Sequence, residues 1–325
     1  MKRREFITLL GGAAVAWPLA ARAQQPAMPV VGILTARGAG DAMVAAFRQS
    51  LQDTGFVERQ NVAIEYRFAG NQNERLPALA ADLVNRQVTV IAALTTPAAL
   101  AAKAATTTIP IVFETGSDPV QLGLVASLNR PGANVTGVTS LVVEVAPKRL
   151  ELLHELVPAA RVIGLLVNQA DTALAEAQLR AIQSAANTLG LELQVLNANS
   201  EHDFDAVFAS LIRLRAGGLV ISADHVFTRG MEQLANLTIR HSVPAVYLYR
   251  EFAAAGGLAS YGPAIMESYR LAGFYTSRIL KGEKAADLPV IQATKLALYI
   301  NMKTARALGV TIPLPLSGRA DEIFE

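Results

Sequence analysis

From Pro29 onward, short β-branched runs alternate with longer amphipathic stretches, and this rhythm constrains the fold more than any single motif. "PVVGILT" reads as a buried strand, and "DAMVAAFRQSLQDTG" follows as a helix with Asp41 placed to cap its start and Gly55 to end it. "NVAIEYRF", "VTVIAAL" and "IPIVF" are further strands, separated by the helical "ERLPALAADLVNR" and by "PAALAAKAAT", which has Pro97 in its first turn. Such regular alternation predicts a parallel sheet with helices on both faces.

After "NVTGVTSL" the rhythm restarts. "RVIGLLVN" is a strand, "DTALAEAQLRAIQSAANTLG" a helix closed by Gly190, "LELQVLN" a strand, and "DFDAVFASLIRLRAG" a helix capped by Asp203. "GLVIS", the stretch around "MEQLANLTIRHS", and "VPAVYLY" add strand, helix and strand. The chain therefore holds two α/β units in tandem, each of about 110 to 120 residues. The ending contains "GGLASYG" (strand), "AIMESYRLAGFYTSRILKG" (helix), "TKLALYIN" (strand) and "MKTARALG" (short helix). These pieces are too few for a third domain and must be shared between the first two. A chain that passes between two lobes several times makes a hinge with a cleft beside it.

The first residues read as an address. Lys2, Arg3 and Arg4 precede a mostly apolar run from Phe6 to Ala20, and Ala21-Arg22-Ala23 supplies small residues for signal cleavage. The run is roughly 15 residues, shorter than the ~20 that span a bilayer. Arg3-Arg4 with Glu5, Phe6 and Ile7 resembles a twin-arginine signal, which exports folded proteins. Cleavage before Gln24 removes Lys2, Arg3, Arg4 and Arg22 from 29 basic residues and Glu5 from 27 acidic ones, leaving a net charge of −1. That balance carries no electrostatic footprint for nucleic acid. The chain has no cysteine, so neither a lipid anchor at the cut nor a disulfide is expected, and about 300 mature residues suffice for an ordinary core.

Catalytic signatures are missing: there is no G-x-S-x-G elbow, no phosphate loop, and no G-x-G-x-x-G after the first strand. His154, His202, His225 and His241 are scattered without metal-ligand spacing. No cofactor and no metal are expected. What recurs instead is a small polar group at the C-terminal end of a strand. Thr35 follows the first, Thr95-Thr96-Pro97 the third, and Thr115-Gly116-Ser117-Asp118 the fourth. In the second half, Asn168, Ser222-Ala223-Asp224 and the residues from Tyr247 to Arg250 hold the equivalent places. Ligands of open α/β sheets sit outside the carboxyl ends of strands, and two such rims face to face would enclose a small molecule. Each group also has a plainer reading. Thr95-Thr96-Pro97 and Ser117-Asp118-Pro119 are ordinary helix starts, Asp224 suits a helix cap as well as a ligand contact, and Tyr66, Phe68, Tyr247, Tyr249 and Tyr261 suit a core.

The blocks "AIEYRFAGNQNERLPALAADLV", "TTPAALAAKAATTTIPIVFETGSDPVQLGLVASLNRPGANVTGVTSL", "KRLELLHELVP", "REFAAAGGLASYG" and "LYINMKTARALG" resemble the substrate-binding proteins of ABC transporters in the TrpX-like group. The likeness covers nearly the whole mature chain. It implies the type I periplasmic-binding fold: α/β, with two Rossmann-like parallel-sheet lobes joined by a three-crossover hinge and a ligand in the cleft. Lobe 1 is expected over residues 29–140 plus 258–288, lobe 2 over 141–257 plus 289–325, with residues 1–23 as the signal peptide. The resemblance further implies a periplasmic protein that delivers a small solute to an ABC permease in the inner membrane. Some members of the group take tryptophan, tyrosine or phenylalanine. Carried over by position, the cleft residues are Thr35, Thr95, Thr96, Ser117 and Ser140 on one side, with Asn168, Asp224 and Tyr247 on the other, and Tyr261 near the second crossover. For an amino-acid ligand the carboxylate is expected around Thr95 to Pro97 and the ammonium at Asp224. The sequence departs from amino-acid-binding members at "NQAD" and "ADHVF", where those members carry more polar loops.

Two other functions compete at this level. The same clamshell would serve a sensor that reports to a membrane partner, and an exported α/β hydrolase would share the layer pattern. The missing nucleophile motif argues against the hydrolase. A monomer is expected, because a hinge must move freely.

Overall fold

The computed structural model describes residues 28–70, 72–140, 142–169 and 172–325, and the signal peptide expected over residues 1–23 lies outside them. Strand β1 (Val30–Thr35) leads to α1 (Ala42–Asp53), β2 (Ala63–Phe68), α2 (Leu76–Asn85), β3 (Val90–Leu94), α3 (Thr96–Ala105), β4 (Ile111–Thr115) and β5 (Val135–Thr139). The second series runs α4 (Ala146–Leu156), β6 (Val162–Val167), α5 (Thr172–Leu189), β7 (Glu192–Asn197), α6 (Phe204–Arg213), β8 (Gly218–Ile221), α7 (His225–Arg229), α8 (Met231–Arg240), β9 (Ala245–Tyr247), α9 (Arg250–Ala254) and β10 (Ala259–Pro263). Then come α10 (Ile265–Leu280), β11 (Ile291–Gln292), β12 (Leu296–Asn301), α11 (Met302–Ala307), α12 (Leu314–Ser317) and β13 (Glu322–Phe324).

The strands form two sheets with matching internal order. The first is β11-β5-β4-β3-β1-β2, parallel throughout, and the second is β13-β12-β10-β9-β8-β6-β7, in which only the β10–β12 pair is antiparallel. Both sheets are doubly wound, and each reverses direction beside its own first strand, between β1 and β3 and between β6 and β8. Central strands such as β3 and β4 are buried along their whole length, as their apolar runs predict, while the edge strands β2 and β7 keep partly exposed, charged sequences.

Local signals act largely as the residues suggest. Asp41 Oδ1 accepts from Met43 N at 2.8 Å to cap α1, and Gly55 (φ +96°) and Gly190 (φ +66°) occupy the left-handed conformations that let the chain leave α1 and α5. The start of α6 differs from expectation. Ser200 is the capping residue of the 3₁₀ turn that leads into it, and Asp203 closes the capping box by accepting from Ser200 N at 2.9 Å.

The division between lobes also needs correction. β10, expected to return to lobe 1 with residues 258–288, pairs with β9 and β12 in the second sheet, because it is the fifth strand of that winding. β11, expected in lobe 2 with residues 289–325, pairs with β5 in the first sheet. The crossovers between sheets therefore lie between β5 and α4, between β10 and α10, and between β11 and β12. After the second crossover α10 packs on α1. Gly273 permits the approach, since a Cβ there would meet Phe47 O at 2.5 Å, and Ser50 Oγ donates to Arg270 O at 2.7 Å. Apolar packing runs on from Phe47 and Tyr269 in the first lobe to Phe227 and Tyr249 in the second. Among the described residues, no helix is long and apolar enough to cross a membrane.

Candidate functional site

The two reversal points face one another across a cavity lined from both lobes. From the first come Ala36, Arg37, Thr95, Thr96, Glu114 and Ser140, with Tyr269 on α10; from the second come Ala223, Asp224, His225 and Tyr249. The strand ends are held by a polar weave. Thr35 Oγ1 donates to Leu94 O at 3.3 Å and Ala36 N donates to Thr95 Oγ1 at 3.2 Å, which ties β1 to the start of α3. The hydroxyls of Thr96 and Thr115 lie 2.7 Å apart, and Ser140 Oγ donates to Glu114 Oε1 at 2.9 Å.

On the opposite rim, Asp224 Oδ1 accepts from Val226 N at 2.7 Å and from Asn168 Nδ2 at 3.1 Å. Asp224 is thus both the cap of α7 and a wall of the cavity. Gln178 fixes the backbone beside it, donating to Ala223 O at 3.1 Å and accepting from Ala223 N at 2.7 Å. Behind this rim, Tyr247 OH lies 3.0 Å from Thr228 Oγ1 and 3.3 Å from Asp224 O. Tyr249 stands edge-on to Tyr247, with ring centroids 5.4 Å apart, and presents itself to the cavity.

Glu114, Arg37 and Asp224 bring two carboxyl groups and a guanidinium to the lining. Glu114 is only 4 % exposed, and burial pushes its carboxyl up to about 7, against the Ser140 hydroxyl, the Arg37 charge and the Tyr269 hydroxyl, which pull it down. Arg37 bridges to Asp41 at 3.2 Å through one terminal nitrogen, while its Nε is buried with no hydrogen-bond partner among the described residues. Burial also raises the Tyr249 and Tyr269 phenols, which stay neutral donors; Tyr269 OH donates to Leu94 O at 3.1 Å. Among the described residues no group of three or more His, Asp or Glu is arranged to hold a metal.

Of the residues anticipated at the cleft, Thr95, Thr96, Ser140 and Asp224 line this cavity. Thr35 and Asn168 lie one layer behind, buried and bonded to the residues that do. Tyr247 is fully buried in an aromatic cluster with Tyr249 and Phe252, so its neighbour two residues on takes the lining place. Ser117 is outside the lining, its N–H donating to Thr115 Oγ1 at 3.2 Å, and Asp118 caps a turn rather than a helix by accepting from Val120 N at 2.8 Å. Tyr261 lies elsewhere: on β10 it faces a shallow outer depression with Lys148, Glu151 and Arg319. Tyr249 belongs to the strand-end group from Tyr247 to Arg250, whereas Arg37, Glu114 and Tyr269 lie outside the residues that the sequence singles out. A carboxylate inside the otherwise apolar strand "IVFET" is the clearest of their signals, since a doubly covered strand tolerates a charge only where something uses it.

A family model described as ABC transporter substrate binding protein matches residues 30–324. A curated relative named tyrosine-binding protein, from Clostridioides difficile (strain R20291), is 26% identical over 268 residues, covering 82% of this chain and 76% of the relative. The crystal structure of a conserved domain protein from Vibrio cholerae superposes with a TM-score of 0.81 at 26% identity, over 91% of this chain and 99% of that one. An ABC domain from Streptococcus pneumonia in complex with L-Trp gives a TM-score of 0.78 at 23% identity, again over 91% and 99% of the two chains. At that identity the second structure speaks to the type I fold alone.

Proposed function

The chain belongs to the ABC transporter substrate-binding protein family, and from that premise we propose that it serves an importer by capturing an aromatic amino acid or a related aromatic carboxylate. Proteins of this family bind solutes and are not enzymes. The observation that carries the proposal is the cavity between the two reversal points, where hydroxyls, a guanidinium, carboxyls and the rings of Tyr249 and Tyr269 converge from both lobes. Such a lining suits a small ligand with a polar head and a flat apolar body. The tyrosine named for the curated relative is a ligand of that kind.

In this reading the protein acts in the periplasm as a single copy, after cleavage of its signal peptide. Solute bridges the two rims, and the closed form is stabilised by contacts available only when both lobes engage. A permease in the inner membrane then receives the solute from the closed form.

Mature protein beginning at Gln24 would lack tryptophan, because Trp17 is the only one in the chain. Free L-tryptophan can therefore be followed by its own emission as the protein is titrated in, with thermal unfolding measured beside a panel of amino acids and aromatic acids. A saturable change in emission with matching thermal stabilisation supports the proposal. Stabilisation by a solute outside these classes alone removes the aromatic ligand, and no response to any member of the panel overturns the solute class.

A further inference from the structure

Glu114 and Asp224 are two carboxylates on opposite walls of one cavity, and their surroundings differ. Asp224 is already supplied from within the protein: one of its oxygens takes hydrogen bonds from Val226 N and Asn168 Nδ2. Glu114 is more deeply buried, and among the described residues its side chain is met by the Ser140 hydroxyl, at 2.9 Å. Arg37 acts on Glu114 only through space, since its ion pair is made with Asp41. A carboxyl held this way lacks a positive partner in contact, and a buried charge without one is unfavourable. Beside it, Arg37 has the complementary deficit, a buried Nε–H with no acceptor among the described residues on a side chain only 12 % exposed. Both residues come from the ends of first-sheet strands, β4 and β1, and both line the same cavity.

We infer that Glu114 receives the protonated amine of the ligand and Arg37 Nε–H its carboxylate, so that the first lobe alone reads an α-amino-acid head group. This rests on the solute-capture reading above and replaces Asp224 as the ammonium partner. Asp224 then acts from the second lobe once the cleft closes, and it affects all ligands alike. A head group bound between Glu114 and Arg37 satisfies both deficits at once, and a ligand lacking either charge leaves one of them buried and unmet.

Binding of an ammonium also requires Glu114 as the carboxylate, so capture releases its proton where the free protein holds one. The titratable groups that line the cavity with Glu114 are Arg37 after β1, which is paired with Asp41, Tyr269 on α10, Tyr249 after β9, and Asp224 and His225 at the start of α7.

The test is calorimetric titration of the mature chain with L-tyrosine, with 3-(4-hydroxyphenyl)propionate, which lacks the amine, and with tyramine, which lacks the carboxylate. Wild type is expected to prefer tyrosine over each analogue by about 100-fold. Glu114→Gln should lose that preference over the amine-free analogue, and Arg37→Gln the preference over tyramine, while Asp224→Asn weakens all three and keeps both preferences. Should either glutamine variant fail to fold, wild type alone decides. Titrated near pH 6 in buffers of different protonation enthalpy, it should release close to one proton with tyrosine and none with the amine-free analogue. Loss of amine preference in Asp224→Asn with its retention in Glu114→Gln, or no linked proton release, overturns the assignment while leaving solute capture intact. Wild type that binds none of the three but is stabilised by another solute overturns the head-group class itself.

Discussion

Asn168 donates to Asp224 across 3.1 Å and so joins the ends of the two strands between which the second sheet reverses. The bond orients a cavity wall from behind. Asn168→Ala withdraws a donor from a buried carboxylate, at a cost of about 1–2 kcal/mol in stability. Ligand affinity should fall about tenfold, because the wall is no longer held for closure. Urea unfolding and calorimetric titration of the variant check both, and a variant neutral in both would show that the bond positions nothing.

Glu114 makes the free protein sensitive to pH in a stated direction. Its folded-state value, about 7, lies above the ordinary 4.5, so the folded protein holds a proton that the unfolded chain releases. That contribution to stability is fully present below about pH 4.5 and is lost as the pH rises through about 7, a swing on the order of 3 kcal/mol. Unfolding in urea near pH 5 and near pH 8 should show the loss in wild type and a smaller one in Glu114→Gln. Equal slopes in the two proteins would remove Glu114 as the source.

Arg149 is a different kind of buried charge. It lies in α4 with no exposure, donates to Val142 O at 3.4 Å and to Tyr261 O at 3.5 Å, and its Nε has no partner among the described residues. Burial lowers its guanidinium to about 10. With such long contacts the desolvation cost is poorly offset, so Arg149→Met should be as stable as wild type or more so. Arg149→Ala should lose about 3 kcal/mol through the void it leaves. A loss above about 2 kcal/mol in Arg149→Met would mean that the cation holds the crossovers together more tightly than these distances allow.

Gly273→Ala tests the seam between α10 and α1. The added methyl would meet Phe47 O at 2.5 Å and Ser50 Cβ at 2.9 Å. Overpacking of this kind costs about 1–3 kcal/mol, against a gain of up to about 1 kcal/mol in helix propensity. A net drop in the unfolding midpoint is expected, and an unchanged midpoint would mean that the helices separate freely.

These residues also mark what can be read without coordinates. Strand ends are legible because a buried parallel strand is a short apolar run and its terminus is wherever polarity returns, as at Thr35 and Asn168. Which terminal residue reaches the cavity is less so: Tyr247 and Tyr249 are both aromatic and both follow the same run, and only packing decides that the second faces inward. β10 falls to the wrong lobe on sequence alone because a strand's own residues do not name its neighbours; Ala259 is placed by Val246 and Ile300, the latter far off in the chain. Glu114 does carry a signal, a charge inside an apolar strand, but the polar strand-end loops on either side of it hide that signal.

The second crossover sets a timetable for synthesis. Tyr269 and Gly273, which cover Phe47 and the face of α1, are translated only after every strand of the second sheet up to β10 has been made. A nascent chain therefore carries an uncovered apolar face on its first unit while the second emerges, and domain-by-domain folding from the N-terminus is not open to it. The two lobes mature together, late, and from a nearly finished polypeptide.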